Sequence, residues 1–308
     1  MPTLPFSGTV WLNGQYMPIE EANVSVMTHT LHYGFGVFEG VRAYETARGP
    51  AIFRLQAHTD RLFRSAHMLN MQIPYTKDML NEVQQELLRK NKLNSAYIRP
   101  LCFMGPESVG LRLSKNQSVN VMIAAWRWGA YMGAASLSEG IHLCVSSFSR
   151  QHPNSTLTKA KACGNYINSI LATQEAIANG YNEVLMLDTQ GYVAEASSSN
   201  FFMVVEGDLI TPPTDACLQG ITRDSIMQLA RDTGLKVIER RITRDEVYVA
   251  DEAFLTGTAV EMTPICSVDK RQIGLGKPGP ITQQLQLAFF NEVRGQGEAT
   301  YPEWLTLV

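Results

Sequence analysis

The apolar runs of this chain are short, and most repeat as strands do rather than as helices do. Runs at 97–103, 119–125, 141–148, 183–187, 192–196, 201–205, 208–211, 236–240 and 252–256 read as strands. Asn13-Gly14 favours a tight hairpin turn within 10–17, and Glu206-Gly207 marks a second hairpin. Helical spacing appears in Leu55, Leu62, Phe63, Ala66 and Leu69, and again in Met79, Leu80, Val83, Leu87 and Leu88 behind a capping Thr76. Further helices are predicted over 166–179, from Thr222 with that residue as a cap, and over 281–293. These helices do not alternate strictly with the strands, so the pattern predicts an α+β fold rather than a doubly wound sheet.

The texture changes at 126–140, which has neither period and is rich in Gly, Ala and Ser. A chain of 308 residues has room for two domains. The division expected is an N-terminal α+β domain over 1–126, an interdomain loop over 127–140, and a C-terminal domain over 141–308. Trp126, Trp128 and Tyr131 are large for a plain spacer and suggest that the loop lines something.

Several function classes are disfavoured. Lys plus Arg number 26 against 29 Asp plus Glu, a formal charge of −3 that gives no basic excess for nucleic acid or an anionic membrane. No apolar stretch approaches the roughly 20 residues of a membrane span. The start Met1-Pro-Thr-Leu-Pro-Phe has no basic region, and the first Lys or Arg is Arg42, so the expected location is cytoplasmic. Five dispersed cysteines without a C-x-x-C argue against a disulfide framework or a zinc ribbon. His29 and His32 are three apart, but no further ligand completes them, so no metal is expected.

Three constellations carry chemistry. In Thr158-Lys-Ala-Lys-Ala-Cys-Gly-Asn-Tyr166, two lysines stand among residues small enough to admit a planar group. Such a lysine can form a Schiff base with a carbonyl, though a solvated surface pair is the plainer reading. Glu195-Ala-Ser-Ser-Ser-Asn200 puts a carboxylate at a strand end, either as a turn residue or as the partner of a protonated ring nitrogen. Leu218-Gln-Gly-Ile-Thr-Arg223 opens a helix whose free N–H groups suit an anion, and 255–259 offers more N–H donors. No phosphate loop of the Walker type and no dinucleotide fingerprint is present. A Schiff-base lysine, a ring-nitrogen carboxylate and a phosphate cradle together are the needs of pyridoxal 5′-phosphate.

From Glu195 to Arg223 the chain resembles the class IV aminotransferase signature. Glu195, Ser197, Asn200, Phe201, Phe202, Leu209, Thr211, Leu218, Gly220, Ile221 and Arg223 stand at its intervals. Met27-Thr-His-Thr-Leu-His-Tyr-Gly34, Val37-Phe-Glu-Gly-Val-Arg42, Ala96-Tyr-Ile-Arg-Pro100, Lys161-Ala-Cys-Gly-Asn-Tyr166 and Gly257-Thr-Ala-Val-Glu-Met-Thr-Pro264 are similar to the bacterial branched-chain amino-acid aminotransferases. The resemblance implies the fold-type IV architecture, with a smaller N-terminal domain and a larger cofactor-binding domain on a barrel-like β core. It implies Lys161 as the Schiff-base lysine and leaves Lys159 unassigned. Arg61, Tyr166, Glu195, Ile221, Thr222 and Thr258 would bind the cofactor. Tyr33, Phe38, Tyr97, Arg99, Trp128, Tyr131, Thr258 and Ala259 would bind substrate. In that role Arg99 would meet the side-chain carboxylate of glutamate, and Pro100 after it predicts an edge or a strand end.

The resemblance also implies a homodimer or dimer-based hexamer whose 105–111 loop reaches a neighbouring site. Here Pro106 and Glu107 depart from the glycine-rich pattern of that loop. The activity implied is transfer of the amino group of leucine, isoleucine or valine to 2-oxoglutarate. A D-amino-acid aminotransferase or an aminodeoxychorismate lyase of the same fold is the alternative within the family. A catalytically dead binding protein is the alternative outside it.

Overall fold

The computed structural model describes residues 7–129, 131–296 and 300–308. It divides into two units. The first holds 1–128, 160–164 and 292–308, and the second holds 129–159 and 165–291. The units are therefore not two contiguous halves meeting at a free loop. The 127–140 stretch contains a short helix, Ala134–Glu139, and the C-terminal tail joins the first unit.

The first unit is an antiparallel sheet in the order Leu305–Leu307, Gly49–Phe53, Val41–Thr46, Ala96–Met104, Val119–Trp126, Thr9–Leu12, Gln15–Pro18. Asn13 and Gly14 both take positive φ, 49° and 94°, as a two-residue hairpin turn requires. The helices Leu55–Met68 and Lys77–Lys90 form as their apolar spacing predicts. The Thr76 hydroxyl caps the latter by accepting from the Met79 N–H at 3.2 Å. Leu62, Ala66, Leu80, Val83 and Leu87 pack with Trp11, Ile98 and Ile123 into one core.

Pro100 is neither at an edge nor at a strand end. It lies inside Ala96–Met104, which has neighbours on both sides. On one side, however, the neighbour is two short strands. Gly36–Phe38 pairs with 101–103, and Val41–Ala43 pairs with 96–98. The residue without an N–H falls in the gap between them, where its carbonyl still accepts from the Glu39 N–H at 2.9 Å.

The second unit is a mixed sheet in the order Val193–Ala196, Glu183–Leu187, Ile141–Val145, Glu261–Val268, Glu252–Gly257, Asn200–Val205, Asp208–Thr211, Val237–Glu239. The Ala196 N–H donates to the Ser199 carbonyl at 2.8 Å, which brings the first of these strands back to the sixth. Six strands thus curl around Leu143, Leu185, Phe201, Met203, Leu255 and Ile265, a barrel-like core. Phe202 and Phe254 face away from that cluster and stack on each other at 5.1 Å, both fully buried. Truncating either ring leaves a cavity that its neighbour cannot fill. Phe202→Ala should therefore cost about 3–5 kcal/mol in urea unfolding, whereas Ile177→Ala, on an exposed helix face, should stay within about 0.5 kcal/mol.

Candidate active site

In the first unit, Lys161 is held by its backbone. Its N–H donates to the Ser65 hydroxyl at 3.0 Å, and its carbonyl accepts from the Phe38 N–H at 3.0 Å. The next residue, Ala162, makes a bridge to Val37. The Lys161 ammonium lies 5.0 Å from the centre of the Phe38 ring, and the Arg99 guanidinium lies 4.8 Å from that same ring. Arg99 also covers the Tyr97 ring at 5.4 Å, as two residues on one face of a strand can. Its Nη2 is 3.5 Å from the Tyr97 hydroxyl, and its Nε is buried with no hydrogen-bond partner. The Tyr97 ring meets Trp128 edge-on at 4.4 Å.

The first unit thus brings together Lys161, Phe38, Tyr97, Arg99 and Trp128, a cation-bearing patch walled by aromatic rings. Arg61 reaches it through the helix that carries Ser65. Its guanidinium is gripped by Glu39, with Nε to Oε1 at 2.6 Å and Nη2 to Oε2 at 2.8 Å.

Tyr33 stands elsewhere in the unit, at the end of the His29–Tyr33 helix and 45 % exposed. Its hydroxyl donates to the Val109 carbonyl at 3.0 Å, and His29 Nε2 is 3.0 Å from the Gly110 carbonyl. The helix therefore holds the tip of the 105–111 loop. Glu107 holds the base of that loop, accepting from the Ser118 hydroxyl at 2.7 Å and from Gln117 Nε2 at 3.0 Å. The departure at Glu107 thus has a local reason, since a glycine could not make these bonds.

In the second unit, Glu195 lies on Val193–Ala196, buried, at a register shift against Glu183–Leu187. Such a bulge re-aims a side chain within a sheet. Arg150 Nη2 pairs with Glu195 Oε1 at 2.7 Å, and Arg150 Nη1 also donates to the Ser169 hydroxyl at 3.1 Å. Nothing in the sequence marked Arg150, because a single arginine after a serine-rich stretch carries no spacing signal. Lys159 belongs to this unit and not to that of Lys161. Its ammonium donates to the Cys217 carbonyl at 3.3 Å, and burial holds its pKa below the ordinary lysine range.

Ile221 and Thr222 open the Ile221–Asp232 helix. Thr222 is not its cap. Gly220 is, with no side-chain bond, because the space beside it is taken: a Cβ on Gly220 would stand 1.9 Å from Asn200 Oδ1. Asn200 also ties down the approach to the helix, its Nδ2 donating to the Leu218 carbonyl at 3.0 Å. Arg223 anchors the first turn from the other side, through the Pro212 carbonyl at 3.0 Å and Glu239 at 2.7 Å. Thr258 and Ala259 sit in the turn after Glu252–Gly257. A Cβ on the preceding Gly257 would meet the Ser199 Cβ at 3.4 Å. The helix start and this turn therefore converge on Ser199-Asn200, a few residues beyond Glu195. Tyr166 opens the helix Tyr166–Ala178, and Tyr131 is 46 % exposed in the same unit. Among the described residues no group of three or more His, Cys, Asp or Glu could hold a metal, and no helix is long and apolar enough to cross a membrane.

The family model of amino-transferase class IV matches residues 36–268. The chain belongs to this family. A branched-chain-amino-acid aminotransferase of Pseudomonas aeruginosa is 57 % identical over 301 residues, covering 98 % of this chain and 97 % of that one. The crystal structure of the Escherichia coli branched-chain amino acid aminotransferase superposes with a TM-score of 0.95 at 44 % identity, covering 97 % of this chain and 99 % of that one. The branched-chain amino acid aminotransferase from Thermobaculum terrenum, in its PLP-form, superposes with a TM-score of 0.90 at 36 % identity, covering 97 % of this chain and 98 % of that one. In this class IV chain Arg61 with Glu39 and Arg150 with Glu195 form buried ion pairs, and the second can be tested without substrate. Arg150→Met leaves the Glu195 carboxylate buried without its cation and should cost about 3–5 kcal/mol in urea unfolding. The double variant Arg150→Met, Glu195→Gln should recover part of that loss. A double variant no more stable than the single one would mean that the two side chains are not coupled.

Proposed function

We propose that this chain transfers the amino group of leucine, isoleucine or valine to 2-oxoglutarate, releasing the branched-chain 2-oxo acid and L-glutamate, with pyridoxal 5′-phosphate as cofactor. The observation that carries the reading is Lys161, backbone-anchored on two sides in a patch with Phe38, Tyr97 and Arg99. The names of the close relatives support the branched-chain substrate over a D-amino acid or aminodeoxychorismate, and the retained charged residues argue against a dead binding protein.

The residues present fit this cofactor on their own chemistry. The chain has an amine for its aldehyde, a guanidinium and a helix N-terminus without a side-chain cap for its phosphate, and an ion-paired carboxylate for its ring nitrogen. When bound, pyridoxal 5′-phosphate supplies an electron sink for the carbanion at the substrate's Cα. Lys161 would carry the cofactor until the substrate's own amino group took its place, and the Nζ released in that exchange would then take the substrate's Cα proton and hold it for return. Glu195, ion-paired with Arg150, would hold the proton on the ring nitrogen. Tyr166 would donate to the phenolic oxygen. Arg61, Ile221, Thr222 and Thr258 would bind the phosphate.

The substrate α-carboxylate would meet the N–H groups of Thr258 and Ala259 together with Tyr97. Phe38, Trp128, Tyr131 and Tyr33 would contact the aliphatic side chain, with Tyr33 serving a neighbouring copy of the chain in a homodimer or a dimer-based hexamer. The five cysteines are free thiols, which suits a cytoplasmic enzyme.

A visible absorption band lost on borohydride treatment, and altered by L-leucine but not by D-alanine, is the expected result of a simple spectral scan. A colourless chain that fails to take up pyridoxal 5′-phosphate would overturn the reading. Lys161→Ala should abolish turnover with the fold intact, while Lys159→Ala stays mild. Mass spectrometry that finds the reduced cofactor on Lys159 would reverse the two assignments.

Arg99 carries the dual-substrate account. A glutamate side-chain carboxylate left unpaired in an apolar pocket costs several kcal/mol, roughly. Arg99→Ala should therefore slow the glutamate half-reaction at least about tenfold more than the leucine half-reaction in stopped-flow traces. Equal losses would leave Arg99 a structural residue.

A further inference from the structure

The buried acid next to Phe38 has no role in the scheme above. Glu39 occupies the break between Gly36–Phe38 and Val41–Thr46 and is fully buried. Besides the two bonds from Arg61, its Oε2 lies 2.8 Å from His58 Nδ1. Burial alone would raise the Glu39 carboxyl. The charge and hydrogen bond of Arg61, with the bond from His58, outweigh it and hold the group well below the usual carboxylate range. Burial likewise keeps His58 below the ordinary imidazole range, against the pull of Glu39, so His58 is neutral and donates its Nδ1–H. The cluster is a carboxylate receiving three hydrogen bonds, two of them from one guanidinium.

Buried ion pairs are weak sources of stability, since desolvation cancels much of the attraction. What a bidentate grip does supply is geometry, because it fixes the guanidinium plane. The surroundings make that geometry count. His58, Arg61 and Ser65 share one face of the Leu55–Met68 helix, and Ser65 accepts the Lys161 N–H. Phe38, adjacent to Glu39, donates to the Lys161 carbonyl. The helix face and the strand end that orient Arg61 are thus the same two elements that anchor Lys161. A Cβ on Gly40 would stand 1.9 Å from the Tyr97 hydroxyl, so the backbone beside Glu39 lies close against the Tyr97 phenol.

We propose that Glu39 is a positioning residue for the cofactor's phosphate, holding the Arg61 guanidinium in a fixed relation to Lys161 with His58 as its brace. The proposal rests on the reading of Arg61 as a phosphate residue. It opposes two simpler roles for Glu39. A purely structural ion pair would affect every ligand of the site alike. A bystander carboxylate would repel the phosphate, and its removal would tighten binding.

The full-length chain, stripped of cofactor, is titrated with pyridoxal 5′-phosphate and with pyridoxal, which keeps the ring and the aldehyde but lacks the phosphate. Glu39→Gln, which cannot accept from both Arg61 nitrogens and His58 at once, should bind pyridoxal 5′-phosphate at least about tenfold more weakly. Its affinity for pyridoxal should change by less than about threefold. Glu39→Asp, which keeps the charge but withdraws it by one methylene, should show the same selectivity at smaller size and carries the test if Glu39→Gln fails to fold. Equal losses for the two ligands, no loss, or tighter binding of the phosphate form would overturn the proposal. Arg61→Met is the control for the underlying reading. If it shows no phosphate-selective loss, the role of Arg61 falls and that of Glu39 with it. If it shows one and neither Glu39 variant does, only the proposal for Glu39 falls.

Discussion

Two hydrogen bonds of the Lys161 backbone, from its N–H to the Ser65 hydroxyl and from the Phe38 N–H to its carbonyl, carry more of this structure than their size suggests. They draw residues 160–164 into the first unit although the chain on either side belongs to the second. A lysine on a free loop would pay side-chain and backbone entropy each time it was brought to a substrate. Here the backbone cost is met during folding. Lys159, two residues earlier, is bonded to the second unit and has a different environment. Lysines two positions apart in a small-residue tract therefore become chemically distinct through the unit to which each belongs.

The same logic governs the charges. Glu39 with Arg61, Arg150 with Glu195, and Arg223 with Glu239 are ion pairs in which the arginine is nearly or fully buried. None is an efficient way to stabilise a fold. Each instead fixes a planar group next to a backbone feature of consequence: the Lys161 anchor, the Val193–Ala196 bulge, and the start of the Ile221–Asp232 helix. Preorganised charge costs little reorganisation when a charged ligand arrives.

Much of the fold was legible in the sequence because local periodicity survived. The Asn13-Gly14 hairpin, both N-terminal helices and most strands lie where spacing and turn residues put them. The failures share a cause. Pro100 reads as a strand end because the rule concerns a missing N–H, and only the pairing of two separate short strands shows that this N–H is not needed. Thr222 reads as a cap because of its type, while Asn200, twenty-two residues earlier, fills the space at the true cap and selects glycine there. The strand Leu305–Leu307 depends on pairing with Gly49–Phe53, so a tail with little periodicity gave no sign of joining the first unit.

By itself the sequence determined the element types, the residue kinds that a phosphorylated aldehyde cofactor requires, and the family to which their spacing belongs. These are local properties: a periodicity, a turn dipeptide, or a motif within thirty residues. Tertiary structure alone decided which unit holds each lysine, and that Arg150 faces Glu195. It alone decided that Glu39 is hydrogen-bonded by both Arg61 and His58. Each of those outcomes is a contact between residues far apart along the chain or on separate elements, and its strength comes from burial. A single sequence records neither distance nor exclusion of water, so the partners of its buried charges appear only once the chain is folded.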